Sequence, residues 1–257
     1  MSRLETRDLT IRFGGHVAVN AVSCTFEPGR LTAIVGPNGA GKTTYFNLIS
    51  GQLKATSGTV SLGGRDLSGL PASERTRAGL GRAFQLTNLF PRLTVLENVR
   101  LAVQARREGP HRRGLNLWSV WSEHKALRER ADEILASIAL ADKEDELVAN
   151  LPHGDQRKLE VALLMALEPQ VFMFDEPTAG MNAAEAPVIL NLIRKLKEDR
   201  TKTILLVEHK MDVVRELADR IIVLHNGTLV ADGIPGEVMQ SKIVQEAYLG
   251  TPETEHA

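Results

Sequence analysis

Cysteine is nearly missing from this chain: Cys24 is the single thiol among 257 residues. No internal disulfide can form, and a reducing compartment is expected. No His/Asn arrangement accompanies Cys24, so it reads as a small apolar strand residue and not as a nucleophile. An excess of one charge is also lacking. Thirty-one Lys+Arg stand against 32 Asp+Glu, for a formal net charge of −1, so no single-sign field directs the chain to nucleic acid or to an anionic membrane. Long hydrophobic runs are absent. The apolar stretches, such as residues 204–207 and 221–224, are short and none exceeds about seven residues, whereas a membrane-spanning helix needs roughly 20. The opening Met1-Ser2-Arg3-Leu4-Glu5-Thr6 has no apolar stretch after its charges, so no secretory signal is expected. The expectation is a chain that touches a membrane only through a partner.

What is present is a 43% apolar composition, ample for a buried core. Residues 4–11 and 17–26 alternate apolar and polar and predict strands, with Gly14-Gly15 as the turn between them. Residues 31–35 form a short apolar run closed by Gly36-Pro37, the pattern of a buried strand. Residues 43–50 have helical character, ended by Gly51, and residues 59–62 read as another strand. From about Pro91 to Met165 the period becomes helical: Leu93, Leu96, Val99 and Val103 recur at helical spacing, as do Leu127, Ile134, Leu135 and Ile138. Residues 106–114 within this stretch read as a basic surface loop. Trp118 and Trp121, with their apolar neighbours, read as core of the helical part. Residues 171–174, 203–207 and 220–224 predict buried strands. Helices are expected over 184–197, with Val188, Leu192, Ile193 and Leu196 on one face, and over 211–218. Asn226-Gly227 signals a hairpin before a strand at 228–231. Alternating strand and helix implies a largely parallel sheet.

Three motifs carry chemistry. Gly36-Pro37-Asn38-Gly39-Ala40-Gly41-Lys42-Thr43 matches G-x-x-x-x-G-K-[ST] in full, between a strand and a helix. Glycine lets backbone N–H groups approach phosphate oxygens, and the helix N-terminus, which continues into Thr44, adds donors and positive dipole. Lys42 then reaches the β/γ-phosphates and the Thr43 hydroxyl ligates magnesium. Val171-Phe172-Met173-Phe174-Asp175-Glu176 delivers two carboxylates to a strand end, where α/β sheets bind ligands; Asp175 suits the magnesium and Glu176 the attacking water. His209 ends another predicted strand on the same edge and suits the γ-phosphate. Gln85 alone is a weaker signal, one polar residue before a loop.

In combination, the order of Gly36–Thr43, Gln85, Leu151-Pro152-His153-Gly154-Asp155-Gln156, the 171–176 run, Ala179-Gly180-Met181-Asn182 and His209 resembles the ABC ATPases, over residues 4–250. The resemblance implies an α/β fold: a P-loop NTPase core with an antiparallel β edge subdomain (residues 1–90 and 166–250), an inserted helical subdomain (91–165) and a tail (251–257). It implies ATP and Mg²⁺ as ligands. It also implies that Phe13 stacks on adenine, and that Gln85 senses γ-phosphate and magnesium beside the membrane partner, with residues 86–90 touching that partner. His153 and Gly154 would close over the P-loop of a second ATPase subunit in a head-to-tail homo- or heterodimer.

Finer matches, among them Arg12-Phe13-Gly14-Gly15, Arg82-Ala83-Phe84-Gln85, Gln156-Arg157-Lys158-Leu159-Glu160 and Ala247-Tyr248-Leu249-Gly250, are similar to the larger ATPase subunit of branched-chain amino acid importers. That implies permease subunits at the cytoplasmic face of the inner membrane, an extracytoplasmic solute-binding protein acting indirectly, and no nucleic acid. Urea or short-amide import and lipopolysaccharide export are the alternatives among transporters. A soluble ABC ATPase of translation or repair is disfavoured, because the chain has neither a second cassette nor a long coiled coil. A regulator without turnover is disfavoured by the intact Lys42, Asp175, Glu176 and His209. One departure stands out: the family signature reads L-S-G-G-Q, and this chain places Pro152 at the serine and His153 after it. Proline offers neither hydroxyl nor N–H.

Lys42→Ala is expected to abolish ATP binding or turnover, a loss on the order of several kcal/mol in transition-state stabilisation. An ATPase assay of the purified chain checks it, and unchanged hydrolysis refutes the P-loop assignment.

Overall fold

A computed structural model describes residues 3–83, 89–108, 125–182, 185–241 and Val244. In chain order the elements are β1 (Leu4–Phe13), β2 (His16–Phe26), β3 (Leu31–Val35), α1 (Lys42–Ser50), β4 (Ser57–Leu62), β5 (Arg65–Asp66), α2 (Ala72–Arg77), β6 (Leu80–Ala83) and α3 (Val95–Glu108). Then follow α4 (Lys125–Ser137), two short 3₁₀ turns, α5 (His153–Leu167), β7 (Val171–Asp175), α6 (Ala186–Glu198), β8 (Thr203–Val207), α7 (Met211–Leu217), β9 (Arg220–His225), β10 (Thr228–Gly233) and α8 (Pro235–Val238).

Two sheets result. The antiparallel sheet runs β2-β1-β4-β5, and the larger sheet runs β10-β9-β3-β8-β7-β6. In the larger sheet β9, β3, β8, β7 and β6 are parallel, and β10 joins antiparallel to β9. Strands β3, β7 and β8 are buried at every residue, as expected of parallel strands covered on both faces. One core joins this sheet to the helices: Phe172 and Phe174 of β7 pack with Val95, Val99 and Val103 of α3, with Leu127, Ala131 and Ile134 of α4, and with Leu159 and Ala162 of α5. A second core lies between the sheets around Phe26, Tyr45, Phe46, Ile49 and Val60.

The sequence reading of most elements holds to within two residues. The β1–β2 turn is Gly14-Gly15, and the hairpin at Asn226-Gly227 has both residues at positive φ, 47° and 75°, the primed turn those residue types favour. Cys24 is a buried strand residue, and burial pushes its thiol up to about 11. One expectation needs correction, one is refined, and four elements had not been read. Residues 106–108, read as the start of a loop, continue α3, and Arg106 pairs with Glu168 at the end of α5. The buried face of α6 centres on Ile189, Leu192 and Ile193, with Val188 and Leu196 at its margin. Elements α2, β5, β6 and α8 went unread: β6 is four residues long and contains a glycine, too short for a period to show. Trp118, Trp121, residues 109–114 and residues 247–250 lie outside the described residues.

Local chemistry sets the ends. Thr94 and Glu97 form a reciprocal capping box at the start of α3: the Thr94 N–H donates to Glu97 Oε2 at 2.7 Å and the Glu97 N–H to Thr94 Oγ1 at 3.2 Å. At the other end of the P-loop helix, the carbonyls of Leu48 and Ile49 accept from Nη1 of Arg75, at 2.7 and 2.8 Å. The same guanidinium donates to Leu70 O and Ser68 O. Arg75 is 3% exposed, so its charge is carried almost wholly by peptide carbonyls, and it locks the C-terminus of α1 to α2. Arg75→Met strands these carbonyls without water. It is expected to lower stability by about 3 kcal/mol, measured by urea unfolding.

Candidate nucleotide site

The order β3-β8-β7 places three strand ends in one row. Val207 of β8 pairs with Ile34 of β3 on one side and Asp175 of β7 on the other. The residues that follow are therefore neighbours: Gly36 after β3, Glu208 and His209 after β8, and Glu176 after β7.

The loop after β3 is shaped by close approach. A Cβ at Gly36 would run into the carbonyl oxygen of Leu224, and one at Gly41 would lie 2.5 Å from Ala18 O; both residues also have positive φ. The β9–β10 turn supports the loop from below, with the Gly227 N–H donating to Ala40 O at 3.0 Å and the Asn20 N–H to Gly227 O at 2.8 Å. Gly41 in the left-handed conformation starts α1, whose first turn carries no side-chain cap and no acid. The N–H groups of Lys42, Thr43 and Thr44 lie in that turn, where a helix leaves its donors open to an anion. Asn38 and Gly39 are exposed on the outer side of the loop, while Pro37 is half-buried and Ala40 buried.

Lys42 is buried, and its Nζ donates to Gly36 O at 2.7 Å and Pro37 O at 2.9 Å. Burial lowers its pKa; the carboxylates of Glu176 and Asp175 act the other way. Asp175 is itself buried. Burial raises its pKa, and the Arg82 guanidinium, donating to Oδ2 at 2.8 Å, opposes the rise. Glu176 has φ of 48°, a left-handed conformation that costs a non-glycine residue on the order of 1 kcal/mol. This turns its side chain out of the strand direction, where Oε1 lies 2.7 Å from His209 Nε2. The Glu176 N–H is held by Val207 O at 2.9 Å.

The structure thus brings Lys42, Asp175, Glu176 and His209 together at one sheet edge. Phe13 lies at the tip of the β1–β2 hairpin, half exposed, on the strand pair whose Ala18 abuts Gly41. His153 and Gly154 lie elsewhere, in the first turn of α5 after Pro152, whose carbonyl accepts from the N–H groups of Asp155 and Gln156 at 3.1 and 3.0 Å. Among the described residues no hydrogen bond joins them to the loop of their own chain. Gln85 falls outside the described residues.

The donor set fits a magnesium nucleotide. Thr43 supplies a hydroxyl and Asp175 a carboxylate, and no group of three or more His, Cys, Asp or Glu that could hold a metal occurs among the described residues. Magnesium suits such a site because it takes one or two protein oxygens and fills its shell with water and phosphate.

A family profile described as "ABC transporter" matches residues 19–179. The chain belongs to the ABC transporter family. It is an ATP-binding and ATP-hydrolysing cassette of that family. It is 40% identical over 249 residues to the high-affinity branched-chain amino acid transport ATP-binding protein LivG of Salmonella typhimurium, covering 96% of this chain and 97% of that one. To BraF of Pseudomonas aeruginosa, a protein of the same description, it is 38% identical over 97% of this chain and 99% of that one. The ADP conformation of MJ1267, an ATP-binding cassette of an ABC transporter, superposes with a TM-score of 0.81 at 29% identity, over 98% and 100% of the two chains. A dimeric post-hydrolysis state of the cassette MJ0796, bound to ADP and Pi, gives 0.76 at 28% identity, over 90% and 98%.

Sequence reasoning missed three residues that hold the motifs of this ABC cassette in place. Glu208 is buried, and its carboxylate accepts from Thr178 Oγ1 at 2.8 Å and from the N–H groups of His209 and Lys210 at 2.7 and 3.2 Å. It fixes the turn that presents His209. Asp155 accepts from Lys143 at 2.5 Å and Lys158 at 2.8 Å. Burial pushes its pKa up, but these two hydrogen bonds outweigh it and the net shift is down. Arg82 is the third. A charged residue beside a motif was the signal for each, but only the fold pairs them. Glu208→Ala frees the His209 turn; turnover is expected to fall about ten-fold or more with nucleotide affinity little changed, measured as kcat and equilibrium ATP binding.

Proposed function

We propose that this ABC cassette hydrolyses ATP to drive import of branched-chain amino acids through permease subunits at the cytoplasmic face of the inner membrane. The observation that carries the substrate class is end-to-end likeness to LivG and BraF, over 96–97% of the chain. The chemistry rests on the row of strand ends.

In this reading the loop Gly36–Thr44 cradles the phosphates with the N–H groups that follow Pro37, and Lys42 exchanges the carbonyls of Gly36 and Pro37 for β/γ-phosphate oxygens. Lys42 is already desolvated, so that exchange meets little competition from water. Phe13 stacks on the adenine. Thr43 and Asp175, with Gln85, hold Mg²⁺, which supplies positive charge to the β/γ-phosphate oxygens when bound. Glu176 orients and polarises the attacking water, and His209 donates to the γ-phosphate while its partner Glu176 turns to the water.

His153 and Gly154 serve the site of a second ATPase subunit, head to tail, through backbone N–H groups at the start of α5. With Pro152 in place of a serine, that second site loses one hydroxyl contact, which favours a heterodimer whose other signature serves this chain's own site. We read residues 1–250 as one cassette, with 91–165 as its inserted helical subdomain and 251–257 as a tail. A groove of about 730 Å³ between β6, α3 and α5 is lined by Phe90, Leu101, Ala102 and Leu163. Phe90 is 54% exposed there, which suits an apolar loop of the permease. A solute-binding protein would act through the permease and not on this chain.

The test is reconstitution with the co-encoded permease, solute-binding protein and any second ATPase. ATP-dependent uptake of radiolabelled leucine is expected, and uptake of urea in its place would reject the substrate class. Glu176→Gln should bind ATP, stop hydrolysis and uptake, and hold the dimer together on gel filtration with ATP and magnesium. A native hydrolysis rate would reject Glu176 as the base.

A further inference from the structure

Arg82 lies outside the P-loop and strand-end motifs, yet its guanidinium bridges the two elements that carry the proposed magnesium ligands. It projects from β6, in parallel register with β7, where Arg82 pairs with Met173 and Ala83 with Phe174. Its Nη2 donates to Asp175 Oδ2 at 2.8 Å. Its Nη1 reaches Asn47 Oδ1 at 2.6 Å, Ser50 Oγ at 2.9 Å and Gln52 Oε1 at 3.0 Å. The guanidinium also lies 4.9 Å from the centroid of the Phe46 ring. Asn47 and Ser50 belong to α1, which begins at Lys42 and Thr43, and Gln52 follows it closely. The side chains of Arg82 and Asp175 are only 7% and 4% exposed.

We propose that Arg82 is a positioning residue that sets the distance between Thr43 and Asp175, and so the affinity of the site for the magnesium of the nucleotide. This rests on the magnesium nucleotide reading above. Arg82 engages one oxygen of Asp175, and no hydrogen bond to the other is found among the described residues, so one is clamped while the other is offered to the metal or its water. Clamping matters here because a buried carboxylate left unpaired would turn toward water. The three acceptors on α1 and just after it prevent the guanidinium from following Asp175 if the strand shifts. Only a planar fork with several donors meets this arrangement; an ammonium could make part of it. Removing a residue that hydrogen-bonds a metal ligand typically changes metal affinity by about 10–100-fold.

The experiment measures binding of the non-hydrolysable fluorescent nucleotide mant-AMPPNP to the full chain, in EDTA and in saturating MgCl₂. The readout is the ratio of the two Kd values. A merely structural role would weaken binding alike in both conditions and leave the ratio unchanged. Arg82→Met is expected to lower the ratio about ten-fold or more, with the Kd in EDTA changed less than about two-fold, and Arg82→Lys to recover part of it. Asn47→Ala and Gln52→Ala each remove one anchor without touching Asp175. They are expected to shift the ratio in the same direction by a smaller factor, and they serve as the test if Arg82→Met does not fold. An unchanged ratio in the folded variants, or equal loss in both conditions, overturns the proposal while leaving the magnesium reading intact. A wild-type ratio of one overturns both.

Discussion

The site depends on β8 lying between β3 and β7. Parallel strands spaced about 4.8 Å apart put β3 and β7 about 10 Å from one another, which leaves room for phosphates and a metal between the loop after one and the carboxylates after the other. The ladder enforces this spacing through backbone hydrogen bonds that continue past the strand ends, as where the Glu176 N–H meets Val207 O. The left-handed turn at Glu176 is stable only because that ladder and the His209 contact hold it from both sides. Moving β8 out of the middle would leave every motif residue in place in the sequence and no site in space.

Charge is the second organising theme. Lys42, Arg75, Arg82, Asp155, Asp175 and Glu208 are largely removed from water. Each is held by a definite set of partners: carbonyls for Lys42 and Arg75, side-chain oxygens for Arg82, lysine ammonium groups for Asp155, the Arg82 guanidinium for Asp175, and a hydroxyl with two backbone N–H groups for Glu208. Buried ion pairs contribute little net stability, because desolvation offsets attraction. What they supply is a single arrangement, since any other leaves a charge unpaired. That explains why such groups concentrate around a nucleotide site, where a shift on the order of 1 Å in a ligand is costly.

The helical side follows different rules. Its core is a continuous apolar surface of α3, α4 and α5 against Phe172 and Phe174, with polar devices at the start of α3: the Thr94–Glu97 box, and Asn98 tying Phe90 through donations to the Phe90 and Thr94 carbonyls at 3.1 and 2.9 Å. The start of α5 combines a proline, whose carbonyl is all it gives the helix, with Asp155 neutralised between two lysines.

Sequence alone determined the parallel strands and the P-loop, because both are written in local terms. Buried parallel strands are unbroken apolar runs such as residues 203–207, and a phosphate loop needs its glycines at set intervals whatever the surroundings. The hairpin at Asn226-Gly227 and the family were legible for the same reason. The partners of those residues were not. Arg82 lies 93 positions from Asp175, and its strand is four residues long with a glycine in it, so neither period nor spacing marks the pair. Glu208 looks like one more acid beside a histidine until Thr178 is brought to it from 30 positions away. The support of the P-loop by Ala18, Leu224 and Gly227 likewise exists only after two sheets have packed together. Local sequence specifies which groups can do the chemistry; long-range packing decides which charges and carbonyls hold them in place, because those contacts join residues that no local pattern relates.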